Sequence, residues 1–421
     1  MKKLLAVFIL FTSVLSGQNF NGRISSSFYT FNRFNSLTDS KTYLRSYNTL
    51  SFNLTKNNVS LRTRLNLESD IVNPLDNDPR LRFYNLFIEA RKIFNIATIK
   101  VGRQPIYNSV AGGLFDGVNL KLKHKGFSLV GYYGANVPAY QKLELTDDWG
   151  NDYILGGTIS ANFLQHFRVA LSYINKNFKP VEYTALRLDE NLNPIQILIQ
   201  KNSNQYKFVS GDFSYRLKNV VRVNTRYDYD LNFNTTSKFY ISARYSQIKN
   251  LGISLYYNYR EPRIRYNSIL SVFNFGNTKE IEGGIDYKIN NQFTVIGKFG
   301  NVSYKDDNSQ RLTLGINSNF GNLSYRKTFG YAGELSSISA YAAHTFFNGL
   351  LTPSIGLAYT SYKLSEDAET NNITSLLGGI NFRPLRLWSF DLQGQFFNNK
   401  FYKDDFRLLF KINYWFNTNF N

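Results

Sequence analysis

The chain of 421 residues contains no cysteine and one methionine. Without thiols, disulfides, cysteine-ligated metals and a lipid-modified N-terminal cysteine are all excluded. Histidine is nearly as scarce: His124, His166 and His344 are the only three. No two of them fall at metal-ligand spacing, and none comes with the partners that nucleophilic hydrolysis requires, so no catalytic, cofactor or metal residue is assigned. Past the first residues, no apolar run approaches the roughly 20 residues of a spanning helix, which excludes a helical membrane protein. Acidic residues are also short in supply, 30 against 49 Lys and Arg, for a formal net charge of +19.

What fills the chain is Phe (36), Tyr (30) and abundant Asn, a strand- and turn-forming composition rather than a helical one. The start reads as an export leader. Met1-Lys2-Lys3 is a positive n-region, Leu4 to Val14 an uncharged apolar stretch, and Leu15-Ser16-Gly17-Gln18 supplies small residues for cleavage after Ser16 or Gly17. The expected organisation is a signal peptide over 1–17 and a single barrel domain over 18–421. That barrel is expected to begin directly after the leader, leaving no N-terminal plug.

Period-two alternation carries the fold. Val59, Leu61, Thr63, Leu65 and Leu67 share one face, against Ser60, Arg62, Arg64, Asn66, Glu68 and Asp70 on the other. Val221 to Asp230 and Ile281 to Ile289 repeat the pattern. The last strand sets Phe406, Leu408, Phe410, Ile412, Tyr414 and Phe416 against Arg407, Lys411 and Asn413. Strands of about 9–11 residues with one oily and one charged face suit lipid on one side and enclosed water on the other. A soluble sandwich or propeller is built from shorter strands, of about 5–6 residues. Tyr and Phe clusters such as Tyr132-Tyr133, Tyr256-Tyr257-Asn258-Tyr259 and Tyr414-Trp415-Phe416 fit aromatic girdles.

Ten short polar turns are legible, among them Asn57-Asn58, Lys125-Gly126, Lys218-Asn219, Lys249-Asn250 and Asn348-Gly349. Longer segments alternate with them, notably 73–79, 105–113, 137–151, 177–203, 263–277 and 365–372. The expected fold is all-β: a transmembrane antiparallel β-barrel of about 22 strands (range 18–22) in the outer membrane of a Gram-negative cell, turns periplasmic and loops outside. The segment 177–203 either folds into the lumen or extends the wall.

The expected lumen face carries Arg62, Arg64, Arg222, Arg226, Arg244, Arg260, Lys288, Lys298, Arg407 and Lys411. Asp212, Asp228, Asp230, Glu280, Glu282, Asp286 and Asp391 share that face. The basic excess favours anions at a pore, or else sits on loops and turns facing headgroups and solvent. Nucleic acid is not an expected partner, given the compartment.

Lys100-Val101-Gly102-Arg103-Gln104-Pro105, the loop through Ala111-Gly112-Gly113, and Phe115-Asp116-Gly117-Val118-Asn119-Leu120 resemble the strand, loop and strand of alginate-export-type outer-membrane porins. The resemblance stops at this segment. It implies a substrate-conducting barrel with a basic pore, Arg103 and Asp116 lying by the constriction or bracing its loop. Read without it, Gly102 and Gly117 mark bends and Arg103 pairs with Asp116 to hold the loop. The sequence thus points to a passive channel for small polar, including anionic, solutes. Lipid, lipopolysaccharide and the barrel-assembly machinery are its expected partners. The alternative is a non-conducting barrel working through its loops as an adhesin or secretion-complex partner.

Overall fold

A computed structural model describes residues 18–34, 40–74, 78–107, 110–137, 145–146, 148–163, 166–188, 194–201, 204–262, 277–304, 307–330, 334–363, 367–400 and 404–420. The expected leader and most of the 263–277 loop lie outside the described residues.

Twenty-two strands form one closed antiparallel sheet, each bonded to its neighbours along the chain. The circle is completed where the first strand, Gln18–Phe34, pairs with the last, Asp405–Phe420, from Gln18 opposite Phe420 to Tyr29 opposite Leu409. Closure leaves no unpaired edge, the condition for a sheet to stand in hydrocarbon. The one break in sequential pairing comes where Phe167–Phe178 bonds to Asn204–Leu217. The intervening Val181–Leu188 and Pro194–Lys201 form a hairpin of their own.

Ten connections and both chain ends lie at one rim, the turn end, and eleven connections at the opposite rim, the loop end. The turns form where the sequence places Asn: Asn57, Asn219, Asn250 and Asn348 all take positive φ, which Asn tolerates better than most residues. The length asymmetry is incomplete. At the loop end 305–306 and 231–234 are as short as turns, whereas 344–350 at the turn end carries a short 3-10 helix, Phe347–Gly349.

The alternating faces fall as the pattern requires. Val59, Leu67, Ile281, Ile285, Tyr287, Phe406, Leu408 and Phe410 are exposed on the outside of the wall. Ser60, Asn66, Glu68 and Asp70 are buried on the inside. Aromatic placement needs a correction, because not every ring belongs to an outer girdle. Tyr240 and Tyr256 pack at a tilt on the inner face with centroids 6.0 Å apart, and Tyr132 is buried in an inner cluster.

One irregularity matters for the lumen. Between Val59–Asp70 and Arg80–Ile93 the register slips, so that Arg64 faces Asn85 while Leu65 faces Phe83, leaving Tyr84 as an extra residue. The bulge lets Arg80 and Arg82 point inward on one side of it and Phe87, Glu89 and Arg91 on the other. Strict alternation along that strand would have put one of these groups into lipid.

Candidate pore and its lining

The inner wall is a belt of ion pairs. Near the loop end Asp70 binds Arg45 at 2.8 Å and Arg80 at 3.1 Å, while Glu68 lies 3.3 Å from each of the same two arginines. Towards the turn end Glu89 binds Arg62 at 2.9 Å and Arg91 at 2.7 Å. Across the barrel Arg226 joins Asp212 at 3.0 Å and Asp228 at 2.8 Å. Arg244 reaches over Gly252 to Asp286 at 2.6 Å. Glu282 takes Lys298 at 3.0 Å and shares Arg311 with Glu280. Pairs whose two members are both open to water contribute only about 0–1 kcal/mol each to stability, whereas Asp70 and Asp228 are buried and removing an arginine beside them costs more. Their main effect is on the field inside.

Unpaired charges of both signs remain on this wall: among the described residues Asp230 and Asp391 have no basic partner within 4.0 Å. Glu68, Asp70, Glu89, Asp212, Asp228, Glu280, Glu282, Asp286 and Asp405 each have a basic partner within 4.0 Å. Among the described residues no carboxylate lies within that distance of Arg64, Arg222 or Arg260. Arg64 instead lies over the Tyr84 ring, 5.7 Å from its centroid. Arg222 stands in register between Arg216 and Arg244 on the neighbouring strands. Like charges side by side on one sheet face repel, and only Arg244 of the three is neutralised.

Eight of the ten residues singled out in the sequence therefore line the inner face: Arg62, Arg64, Arg222, Arg226, Arg244, Arg260, Glu280 and Glu282. Arg103 and Asp116 require correction. Arg103 is in register with Leu86, and Asp116 lies two residues from Val118 on the same strand face. Leu86 and Val118 are both exposed on the outside, so the pair faces away from the lumen. It is nevertheless 1% and 3% exposed, because the connection after Phe127–Asn136 folds over it. Arg103 Nε and Nη2 donate to the two Asp116 carboxylate oxygens at 2.8 Å each, and Asp116 Oδ2 also accepts from the Thr146 backbone N–H at 2.7 Å and hydroxyl at 2.9 Å. Trp149 completes the cover edge-on to the outward Tyr133, whose hydroxyl donates to the Trp149 carbonyl at 2.7 Å.

The Gly-Arg-Gln and Phe-Asp-Gly triplets prove to be in exact register, Gly102 opposite Gly117, Arg103 opposite Asp116 and Gln104 opposite Phe115. Gly102 has φ +121, a conformation that favours glycine. The buried Gln104 amide donates to the Gly117 carbonyl at 3.2 Å. Outside, this doublet of strands is locked by an ion pair; inside, it carries an apolar cluster in which Phe115 packs with Tyr132, Ile154, Ile174 and Phe208. Ile106, Val110 and Ala111 join that cluster, so residues 110–112 turn into the barrel beside its inner wall. Lys176 Nζ, inward on the strand Phe167–Phe178, fastens it by donating to the Gly112 carbonyl at 3.0 Å.

The 181–201 hairpin extends the wall beyond the loop end. Leu186 is 70% exposed, and Tyr183, Ile197 and Leu198 are open as well, so neither face packs into the lumen. At its base Lys179 binds Asp148 at 2.8 Å. The Lys179 ammonium holds the Asp148 carboxyl below the usual range. Burial pushes nearby Asp152 up, despite the amide hydrogen bond it accepts from Asn136 at 2.9 Å.

Some inner residues escaped the sequence reading. Arg45 lies on a Ser-, Tyr- and Asn-rich strand with no clean alternation, and Arg80, Arg82 and Glu89 were hidden by the bulge. Asp405, at the start of the last strand, is fully buried and bound to Arg407 at 2.7 Å. The three histidines all stand at the turn end, His344 between the Phe320 and Phe346 rings at 5.1 and 4.5 Å. Among the described residues no three His, Cys, Asp or Glu side chains gather as a metal site.

Fold and wall chemistry together define a membrane-type β-barrel with a charged interior. No protein-family model matches the chain, and no curated protein matches it. Among solved structures it is similar to Pseudomonas aeruginosa OpdK with vanillate, at 10% identity and a TM-score of 0.44, over 95% of this chain and 99% of that one. It is also similar to Acinetobacter baumannii OccAB4, at 10% identity and a TM-score of 0.45, over 96% and 99% of the two chains. A BenF-like porin from Pseudomonas fluorescens Pf-5 matches at 10% identity and a TM-score of 0.43, over 96% of this chain and 100% of that one.

Proposed function

We propose that the chain is an outer-membrane channel through which small polar solutes, anions included, diffuse passively. In this reading residues 1–17 are a leader removed on export, and 18–421 form a single barrel placed by the assembly machinery. The turn end faces the periplasm, and the outer wall meets lipid and lipopolysaccharide. The observation that carries it is the closed wall with apolar side chains outside and a continuous belt of charges inside. A polar interior inside a lipid-facing barrel is useful only if it is wet. Arg64, Arg222 and Arg260, lacking carboxylate partners, support enrichment of anions. The inturned residues 110–112 support a narrowed rather than a wide lumen.

Purified protein in a planar bilayer provides the test. Steady open current, with a reversal potential in a salt gradient that favours anions, is the expected outcome, and a silent barrel refutes the channel. The exposed Leu186, Ile197 and Leu198 of the 181–201 hairpin support the second reading, a barrel that works through its loops on a partner. A silent barrel that loses partner binding when this hairpin is shortened would establish that alternative.

A further inference from the structure

At the turn end of the inner wall, four arginines stand on four neighbouring strands: Arg168 on Phe167–Phe178, Arg216 on Asn204–Leu217, Arg222 on Val221–Asp230 and Arg244 on Thr235–Tyr245. Arg216 is directly opposite Arg222, and Arg222 directly opposite Arg244. Arg168 is opposite Ser214, two residues from Arg216 on the same face. The row therefore runs across the strands rather than along the lumen. Neighbouring strands lie about 4.8 Å apart, so the long stems bring several guanidinium groups within reach of one point. A cavity of about 370 Å³ opens against Arg216, Arg222 and Arg244, with Ser246 beside them and the turn 217–221 closing one side. All four arginines are exposed, so a solute in the lumen reaches them. Among the described residues Asp286, bound to Arg244 across Gly252, is the one carboxylate within 4.0 Å of the row.

Like charges directly opposite each other destabilise a sheet, and here three facing cations share a single carboxylate. That surplus selects the ligand. A neutral solute leaves it unmet, and an ammonium group adds to it. A carboxylate brings one charge and fills one guanidinium fork. A phosphate monoester brings a charge of about −1.5 to −2 and three strong acceptor oxygens, enough to engage two or three forks together. Among the described residues no aromatic side chain lines the cavity, so a ring carried by the anion would gain no stacking. A lipid headgroup is kept away, because the row stands on the inner face of a closed wall.

We propose that this arginine row is a binding site for phosphate monoesters at the turn-end mouth of the lumen. The proposal deepens the channel reading, on which its purpose rests, but its test does not depend on conduction. Glucose 6-phosphate is titrated calorimetrically into the whole barrel, folded in detergent and free of phosphate buffer. Wild type is expected to bind it saturably, and to bind glucose or acetate at least tenfold more weakly. Arg222→Gln is expected to weaken Kd by about tenfold or more, from the loss of one charge-assisted fork, and adding Arg216→Gln should abolish binding. Arg260→Gln removes another inward arginine without a carboxylate partner, at the opposite rim, and is expected to bind as wild type. Heat-modifiable migration verifies that every variant is folded. Absence of saturable binding to folded wild type overturns the proposal, as does acetate binding as tightly as the ester. Equal losses in Arg260→Gln and Arg222→Gln also overturn it, since a diffuse field would then replace a site. Short-chain phosphatidylglycerol added to the detergent should leave the Kd unchanged, and competition by it would assign the row to headgroups instead. In a planar bilayer, a silent barrel that binds the ester refutes the channel and leaves the site standing. Open current without ester binding refutes the site and leaves the channel.

Discussion

Removing the arginine of the buried Arg103–Asp116 pair, as Arg103→Met, strips Asp116 of two charge-assisted bonds of 2.8 Å and leaves it with Thr146 alone. Breaking a buried pair by deleting one partner costs about 3–5 kcal/mol, because a charge stays in a site closed to water. Replacing both partners, as Arg103→Met with Asp116→Leu, removes the stranded charge and is expected to recover most of that loss. The double variant still forfeits the Thr146 bonds, so a deficit of about 1–2 kcal/mol should persist. Urea unfolding in lipid vesicles, followed by tryptophan fluorescence, measures all three proteins and completes a double-mutant cycle. Because the pair faces outward, the reversal potential of the folded single variant is expected to stay at its wild-type value. A single variant costing less than about 1 kcal/mol would refute the buried-pair argument. So would a double variant losing the sum of its parts, and a shifted reversal potential would refute the outward placement.

Arg222→Ser removes a cation with no carboxylate partner, so the reversal potential should move towards cations with stability nearly unchanged. Arg226→Ser should instead destabilise by a few kcal/mol, since Asp228 is fully buried beside it; urea melts separate the two. Lys176→Met cuts the tie to the Gly112 carbonyl, and single-channel records are expected to show larger or noisier openings as residues 110–112 loosen. The Asp148 carboxyl is held below its usual range by Lys179, so its contribution is present above the ordinary aspartate range and lost as pH falls through the lowered value. Asp152 is raised by burial and works in the opposite sense, its protonated form being favoured in the fold. Proteolysis of the 137–152 connection at falling pH is therefore expected to speed up in wild type, and to be independent of that titration in Asp148→Asn.

Architecture was legible in the chain because a barrel wall is a local pattern repeated. Each strand must present lipid to one side and water to the other, so alternation at Val59–Asp70, Val221–Asp230 and the last strand reports the environment residue by residue. Asparagine turns punctuate that pattern, and counting them led to 22 strands. Closure follows from the same requirement, since an open edge is intolerable in hydrocarbon. Eight of the ten singled-out charges face inward for this reason alone.

What alternation cannot tell is which side of a wall is covered once the chain folds back on it. The resemblance implied that Arg103 and Asp116 lie by the constriction or brace its loop, yet the pair faces outward and binds Thr146, thirty residues beyond Asp116. The same limit hid the inturned residues 110–112, whose Val110 and Ala111 join an apolar cluster drawn from six different strands. A one-residue bulge at Tyr84 reversed the parity of Arg80 and Arg82, and no short-range signal marks where a ladder slips. Strand identity, face and number thus belong to the sequence, where period two is sufficient. The lumen's shape and its unneutralised arginines were decided only by the register that brings distant strands together.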